Sequence, residues 1–282
     1  MWMINKPDNS ESIGDLITAL TLVNGTPVYA LSSDEIDRIA ALYDDYDTNG
    51  GNPHPAFESG GLALPLCEAL YSAYAQIQQG GRLAALRAIL MEATDRCPVC
   101  GIGAVTDLDH HLPRASFFPF SVYIRNLVPY CGTCNNAKRS IGGNPGETTF
   151  AHPYFANFPG GRFFAARCVL SGGALTTTFG ITQIPGMSDE LHARLCFQYK
   201  RLRLNARYDA EINVFLGGHA VSLADAYGAD RNPSRVADWA RRSAAHLERS
   251  FGLNDWRPAV LHGIAACPEF CAGGFMLALG VV

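Results

Sequence analysis

The sequence predicts an α+β protein that is mostly helical and has a small β-containing centre. Three observations lead to this fold class. Apolar residues recur at helical spacing in the N-terminal and C-terminal parts, a run typical of a β-hairpin follows the middle, and two Cys-x-x-Cys pairs lie in the middle itself. With 282 residues, 48% of them hydrophobic, the chain is long enough for one large domain or two small ones.

The N-terminal part carries clear helix signals. In the segment LSSDEIDRIAALYDDY, Ser32 and Glu35 have the spacing of a capping box, and an apolar stripe follows them. Residues 47–61 are rich in Gly and Pro, which indicates a loop. We expect two further helices over residues 62–79 and 82–93, separated by a Gly-Gly pair.

The C-terminal part combines a hairpin with helices. The segment RFFAARCVL-SGG-ALTTTFGI has two β-prone runs around a Ser-Gly-Gly turn, which predicts a β-hairpin. A long helix is expected from residue 188 to about residue 216. Another is expected over residues 234–251, where Gly252 ends it.

Charge is distributed unevenly along the chain. The formal net charge is −4, but residues 1–60 hold two basic and ten acidic side chains, whereas the rest holds twenty basic and sixteen acidic ones. A polyanion would be repelled by the first region and would find any basic site in the second. The acidic region is a solvated surface, a mask over a basic site or a docking surface for a partner, and the sequence leaves these three open.

Composition excludes two classes of protein. Nine cysteines are an odd number and five of them are scattered, so we expect a reducing, cytoplasmic location rather than a secreted disulfide scaffold. No run of eighteen apolar residues occurs, and the first ten residues lack the pattern of a signal peptide. We therefore expect no membrane partner.

The remaining four cysteines form the pairs Cys97-x-x-Cys100 and Cys131-x-x-Cys134. Each such turn directs two thiolates to one point, and two turns together complete a tetrahedral site. Four thiolates leave no position for water, so the predicted ion is a structural Zn²⁺, with iron as the alternative occupant. The segment between the pairs is long enough to be a unit of its own.

That segment and its flanks resemble the HNH endonucleases. The resemblance covers about 44 residues and is carried by four motifs in a specific order. These are Asp109-His110-x-x-Pro113, Asn126-Leu127, the second Cys-x-x-Cys pair, and Asn135-x-x-Lys138. A weaker resemblance includes the CPVCG lead, the LDHHLP core and the HPYF segment at residues 152–155.

The resemblance implies a central ββα-metal core, in which a divalent ion lies between a β-hairpin and a helix. Asp109 would bind the catalytic ion, and Asn135 would complete the set of protein ligands. His110 would be the general base that takes a proton from the attacking water. Asn126 would hold the loop before the helix in place through its side-chain hydrogen bonds.

The same resemblance implies contacts to substrate and a choice of ion. Lys138 and Arg139 would hold phosphate from the helix, and Arg114 is a further candidate for substrate contact. Oxygen ligands such as Asp and Asn favour Mg²⁺ or Mn²⁺ over zinc. A neutral imidazole suits proton abstraction at cellular pH, and a divalent ion suits stabilisation of the leaving oxygen.

The sequence departs from the family at His111, where an apolar residue is usual. The colicin nucleases have an adjacent His pair whose first member binds metal and whose second is the base. We prefer His110 as the base because Asp109 precedes it. His111 as the base is the alternative; otherwise His111 would support the site or contact the nucleic-acid backbone.

The sequence therefore predicts a metal-dependent HNH endonuclease that hydrolyses DNA rather than RNA. We expect an acidic helical region over residues 1–60, a nuclease domain with a helical lead-in over 61–156, and a hairpin with helices over 157–282. A homodimer, or an ATPase or other partner from a restriction or anti-phage defence system, would fit such an enzyme. The alternative is a non-catalytic, zinc-stabilised protein that binds nucleic acid or acts as a scaffold.

Overall fold

A computed structural model describes residues 2–142 and 149–281 of the chain. Within these residues about half of the chain is helical, and the two sheets are both two-stranded antiparallel pairs. The prediction of a mostly helical α+β protein is therefore confirmed. The chain divides into two compact units, one of Met3–Asn157 and one of Phe158–Val282 with Met1–Trp2.

The first unit contains five α-helices and two strands within its described residues. In chain order they are α1 (Ser12–Ala19), α2 (Ser33–Thr48), α3 (Leu64–Ala73), α4 (Ala84–Glu92), β1 (Asp107–His110), β2 (Leu127–Tyr130) and α5 (Gly132–Lys138). The capping box at the start of α2 is confirmed, because the Ser32 hydroxyl accepts from the Glu35 amide and the Glu35 carboxylate accepts from the Ser32 amide. The two helices expected after the loop are α3 and α4.

Strands β1 and β2 pair directly before α5. Their antiparallel register places Asp107 opposite Tyr130 and His110 opposite Leu127. All four residues of β2 are buried, and because successive side chains of a strand point to opposite faces, both faces of β2 are covered. The first unit thus contains a short strand pair followed by a helix at the position where the sequence predicts a ββα arrangement.

Helix α2 belongs to the same core as this strand pair. Its buried side chains Ile39, Leu42, Tyr43 and Tyr46 join one hydrophobic cluster with residues such as Leu127. Polar contacts extend this packing, since Asp47 forms an ion pair with Arg125 and accepts a hydrogen bond of 2.8 Å from the Tyr123 hydroxyl. The boundary expected at residue 60 therefore falls inside a compact unit.

The second unit contains the other two strands and the remaining α-helices. They are β3 (Phe164–Ser171), β4 (Ala174–Ile181), α6 (Asp189–Arg201), α7 (Leu204–Gly217), α8 (Ala220–Tyr227), α9 (Pro233–Phe251), α10 (Trp256–Ala265) and α11 (Phe275–Ala278). The predicted hairpin is confirmed as β3 and β4. Gly172 and Gly173 join the strands with φ of +57° and +81°, the left-handed conformations that a tight hairpin turn requires.

The expected long helix from residue 188 to about 216 is wrong, because the chain breaks it into α6 and α7. Arg203 lies in the left-handed region, with φ of 51° and ψ of 44°, and ends the helical path. Leu202 and Leu204 on either side are both buried. Two positions apart, these side chains would point to nearly opposite faces of a continuous helix, so the break lets both reach the core.

Among the described residues, no single helix is long and apolar enough to span a membrane. The segments Trp256–Ala265 and Phe270–Ala278 reach the required length and composition only together, and the chain bends by 85° between them.

The hydroxyl of Tyr46 is expected to stabilise the first unit. It lies 3.0 Å from Asn126 Oδ1 and 3.1 Å from His152 Nε2, in a buried environment. Tyr46→Phe removes this bridge, and a buried polar group left without its partner costs about 1–3 kcal/mol. Urea unfolding should show a loss of that size. Tyr71→Phe is the matched control, because Tyr71 is exposed; equal free energies of unfolding for the two variants would contradict the prediction.

Candidate active site

Four buried thiols form a compact group at the start of α5. The Sγ atoms of Cys97, Cys100, Cys131 and Cys134 all lie within 4.8 Å of one another. The Cys100 and Cys131 sulfurs are 3.8 Å apart, whereas a disulfide needs about 2.05 Å. Four sulfurs at about 2.3 Å from a tetrahedral zinc ion would be separated by about 3.8 Å. The group therefore suits a zinc site.

Local backbone structure brings the two pairs together. The first pair lies on a tight turn in which the Cys97 amide donates to the Gly103 carbonyl at 2.9 Å. A Cβ on Gly103 would lie 2.8 Å from Cys131 Cβ, so the turn approaches the second pair at a distance that only glycine permits. Cys131 is the N-cap residue of α5, and Cys134 follows within its first turn.

The thiols are also electronically suited to bind a metal. Hydrogen bonds from the neighbouring thiols, that of Cys131 first, hold the pKa of Cys100 far below its usual value. Burial raises the pKa of Cys97 in the same group, and the thiolate is the form of cysteine that binds zinc.

Asp109 lies on β1 with its side chain directed at α5. Its carboxylate is almost fully buried, and its Oδ2 atom is 2.8 Å from the Nζ atom of Lys138. Burial raises the pKa of Asp109 above its usual value, while the positive charge of Lys138 acts in the opposite direction. Lys138 also donates to the backbone carbonyl of His110 at 2.7 Å, which ties the end of α5 to β1.

Asn135 contacts Asp107 rather than Asp109. Its Nδ2 atom donates to Asp107 Oδ2 at 3.2 Å. Asp107 and Asp109 are two positions apart on β1, so both side chains project from the same face of the strand. Two carboxylates and one amide thus converge between β1 and α5, a donor set that fits a hard divalent ion. Sequence reasoning missed Asp107, although the spacing Asp-x-Asp on a strand was the signal for it.

His110 points away from these carboxylates. Its Nε2 atom lies 2.9 Å from the carbonyl oxygen of Ser121, and its ring packs edge-on against Tyr74 with 4.3 Å between ring centroids. Burial lowers the pKa of His110 to about 3, so its imidazole is neutral throughout the physiological range. Because a carbonyl can only accept, the proton of the neutral ring lies on Nε2 and the Nδ1 lone pair is left to accept a proton. Neither Ser121 nor Tyr74 carries a sequence signal for this role.

His111 has a different environment from its neighbour. Its side chain is 2% exposed, and its ring lies 3.9 Å from the ring of His152, measured between centroids. His152 in turn belongs to the buried contact with Tyr46. The ring of His111 therefore packs inside the first unit.

Asn126 organises the connection between β1 and β2. Its Oδ1 atom accepts from the Leu112 amide at 2.8 Å, and its Nδ2 atom donates to the carbonyls of Leu112 and Phe120 at 3.0 and 3.1 Å. The residue is fully buried. These bonds hold the loop that carries Ser121, and so they orient the ring of His110 indirectly.

The candidate phosphate-binding side chains lie in three different environments. The guanidinium of Arg114 rests on the rings of Tyr71 and Tyr74, at 4.3 and 4.9 Å from their centroids. Its positive charge also lowers the pKa of His110, after burial. Arg139 is exposed just beyond α5. Lys138 is buried and forms an ion pair with Asp109. Its expected contact with phosphate stays a prediction.

The fold and these groups define an α+β protein with a buried four-cysteine group that suits zinc. The chain is similar to Protein ea31 of Escherichia phage lambda, with 35% identity over 199 residues. The match covers 66% of this chain and 66% of that protein, so the chain spans just under two thirds of the relative's length. No family model matches the chain, and no solved structure matches it.

Purified protein is expected to contain about one zinc ion per chain in the four-cysteine group. Cys134→Ser replaces one of the four thiols, so the variant should lose the metal and unfold at a lower temperature, because binding of a structural metal contributes folding free energy. Elemental analysis and thermal unfolding measure the two effects. Cys196→Ser is the control, since Cys196 lies on α6 outside the group; a Cys134→Ser protein with full zinc content would contradict the assignment.

Proposed function

We propose that this protein is a metal-dependent endonuclease of the HNH type that hydrolyses phosphodiester bonds of DNA. The observation that carries the proposal is the arrangement of the strand pair and α5. β1 holds Asp107, Asp109 and His110, and α5 places Asn135 against Asp107. Asp109, His110 and Asn135 of the motifs that carry the resemblance thus lie on β1 and α5, with the ring of His110 on the opposite face of β1 from the two carboxylates.

His110 is the proposed general base. Its neutral ring, with the proton on Nε2 held by the Ser121 carbonyl, offers Nδ1 to an attacking water. His110 is partly exposed, whereas His111 is 2% exposed and packs against His152, and this difference favours His110 for the role, because a base must reach water and substrate. Asn126 positions His110 by holding the loop that carries Ser121.

Asp109, Asp107 and Asn135 are the proposed ligands of Mg²⁺ or Mn²⁺. Their oxygens are the donors that hard ions prefer, and both carboxylates are on one strand face next to the amide. Such an ion would stabilise charge on the leaving oxygen and lower the pKa of water. The chain's own contribution is to hold the donors in place and to exclude bulk solvent from Asp109.

Arg114 and Arg139 are the proposed contacts to the DNA backbone. Arg114 is held on Tyr71 and Tyr74 beside His110, where a guanidinium can bind phosphate through two parallel hydrogen bonds. Arg139 follows α5 directly and is exposed. A zinc ion in the four-cysteine group would have a structural role. Dimerisation and a partner from a defence system stay predictions.

The first test is nicking of supercoiled plasmid by purified wild type with Mg²⁺, Mn²⁺ or EDTA. We expect nicking that depends on the divalent ion. His110→Ala should lower the rate by about 10²–10⁴-fold, the usual contribution of a general base. His111→Phe keeps a ring in the buried position next to His152 and should retain most of the activity.

Thermal unfolding of each variant controls for loss of structure. Loss of activity in His111→Phe, together with substantial activity in His110→Ala, would make His111 the base. If folded, zinc-loaded wild type nicks no plasmid under any of these ions, the enzyme proposal fails and the non-catalytic nucleic-acid-binding protein is the better description.

A further inference from the structure

Lys138 is in an unusual place for a lysine. Its side chain is 1% exposed, although lysine is rarely buried without a partner. The Nζ atom lies 2.8 Å from the Asp109 carboxylate and 2.7 Å from the His110 carbonyl oxygen. The next residue, Arg139, is exposed. The burial of Lys138 is therefore specific to this position and is not a general property of the end of α5.

The partner of Lys138 is the carboxylate that the proposed function assigns to the metal ion. Asp109 is 7% exposed, so its negative charge is costly unless a positive charge accompanies it. Among the described residues, Lys138 is the cationic side chain in contact with this carboxylate. In the metal-free protein it therefore supplies the compensating charge.

We propose that the Lys138 ammonium group is a built-in counter-cation of the metal site, which a divalent ion displaces from Asp109 when it binds. This inference rests on the proposed function. Two cations on one poorly solvated carboxylate repel each other strongly, so they compete for it. Lysine suits such an exchange, because its charge is carried on a flexible four-carbon stem that can move without a backbone change.

The proposal has two consequences for the protein. Without metal, the Asp109–Lys138 pair keeps the strand pair and α5 joined, so the site is formed before the ion arrives. With metal, part of the binding free energy is used to separate the pair, so the affinity for the ion is lower than the ligands alone would provide. Lys138 is thus a positioning and competing residue and is not assigned a contact with the reacting atoms.

Lysine labelling of the full-length wild type tests the displacement directly. The chain has three lysines, and Lys6 and Lys200 are exposed and serve as internal standards. In EDTA, we expect an amine-acylating reagent to modify Lys138 at least about tenfold more slowly than the other two, as its burial implies. Saturating Mn²⁺ should raise the rate at Lys138 several-fold and leave Lys6 and Lys200 unchanged. Mass spectrometry of the digested protein measures the three rates.

A pair of variants tests the competition. Lys138→Met removes the ammonium group and keeps an unbranched apolar stem, whereas Arg139→Gln removes the same charge one residue away without touching Asp109. Titration calorimetry with Mn²⁺ should show tighter binding for Lys138→Met by about fivefold or more, the scale of typical coupling between sites. Arg139→Gln should stay within about twofold of wild type, since an exposed charge is screened.

The outcomes separate this inference from the proposed function. If wild type binds Mn²⁺ but Lys138 is labelled as slowly as in EDTA, the proposed displacement is wrong and the proposed metal site is retained. Equal affinities for Lys138→Met and Arg139→Gln would overturn the competition. If wild type binds no Mn²⁺, and Asp109→Asn behaves in the same way, both the inference and the proposed metal-dependent enzyme fail. The labelling experiment needs only wild type, so the test survives if Lys138→Met does not fold.

Discussion

The anchoring of α5 by four buried thiols is the constraint on which the candidate site depends. A helix of seven residues is too short to be stable alone, and the side chain of its N-cap residue, Cys131, makes no capping hydrogen bond. Cys131 and Cys134 bring its first turn against the Cys97–Cys100 turn, with all four Sγ atoms within 4.8 Å of one another. Asn135 follows Cys134 directly, and Lys138 lies one turn further on. The contacts of both residues with β1 therefore depend on where the thiols hold the helix.

Three buried polar groups of the site each have a specific compensating contact. The Asp109 carboxylate has the Lys138 ammonium, the neutral ring of His110 has the Ser121 carbonyl, and the Asn126 amide has three backbone partners. In a poorly solvated environment such contacts are strong and expensive to lose. They keep the geometry between β1 and α5 defined before any ion or substrate is bound.

The acidic N-terminal region has a structural explanation in part. Helix α2 directs Leu42, Tyr43 and Tyr46 into the core of the first unit, and its Asp47 pairs with Arg125 next to Asn126. At least one of the acidic side chains is thus a counter-charge for a basic residue of the site region. The excess of acidic residues along residues 1–60 does not by itself indicate a separable regulatory segment.

Local patterns in the sequence determined the capping box of α2, the β3–β4 hairpin and the two Cys-x-x-Cys turns, because each depends on residues close together in the chain. They also singled out Asp109, His110 and Asn135 as candidates. Only the tertiary structure decided that Asn135 meets Asp107, that Lys138 is buried on Asp109, and that His111 packs against His152. It also decided the break between α6 and α7 at Arg203, which lets the leucines on either side both reach the core. These features depend on contacts between distant segments or on which faces are buried, and neither is encoded in residue spacing.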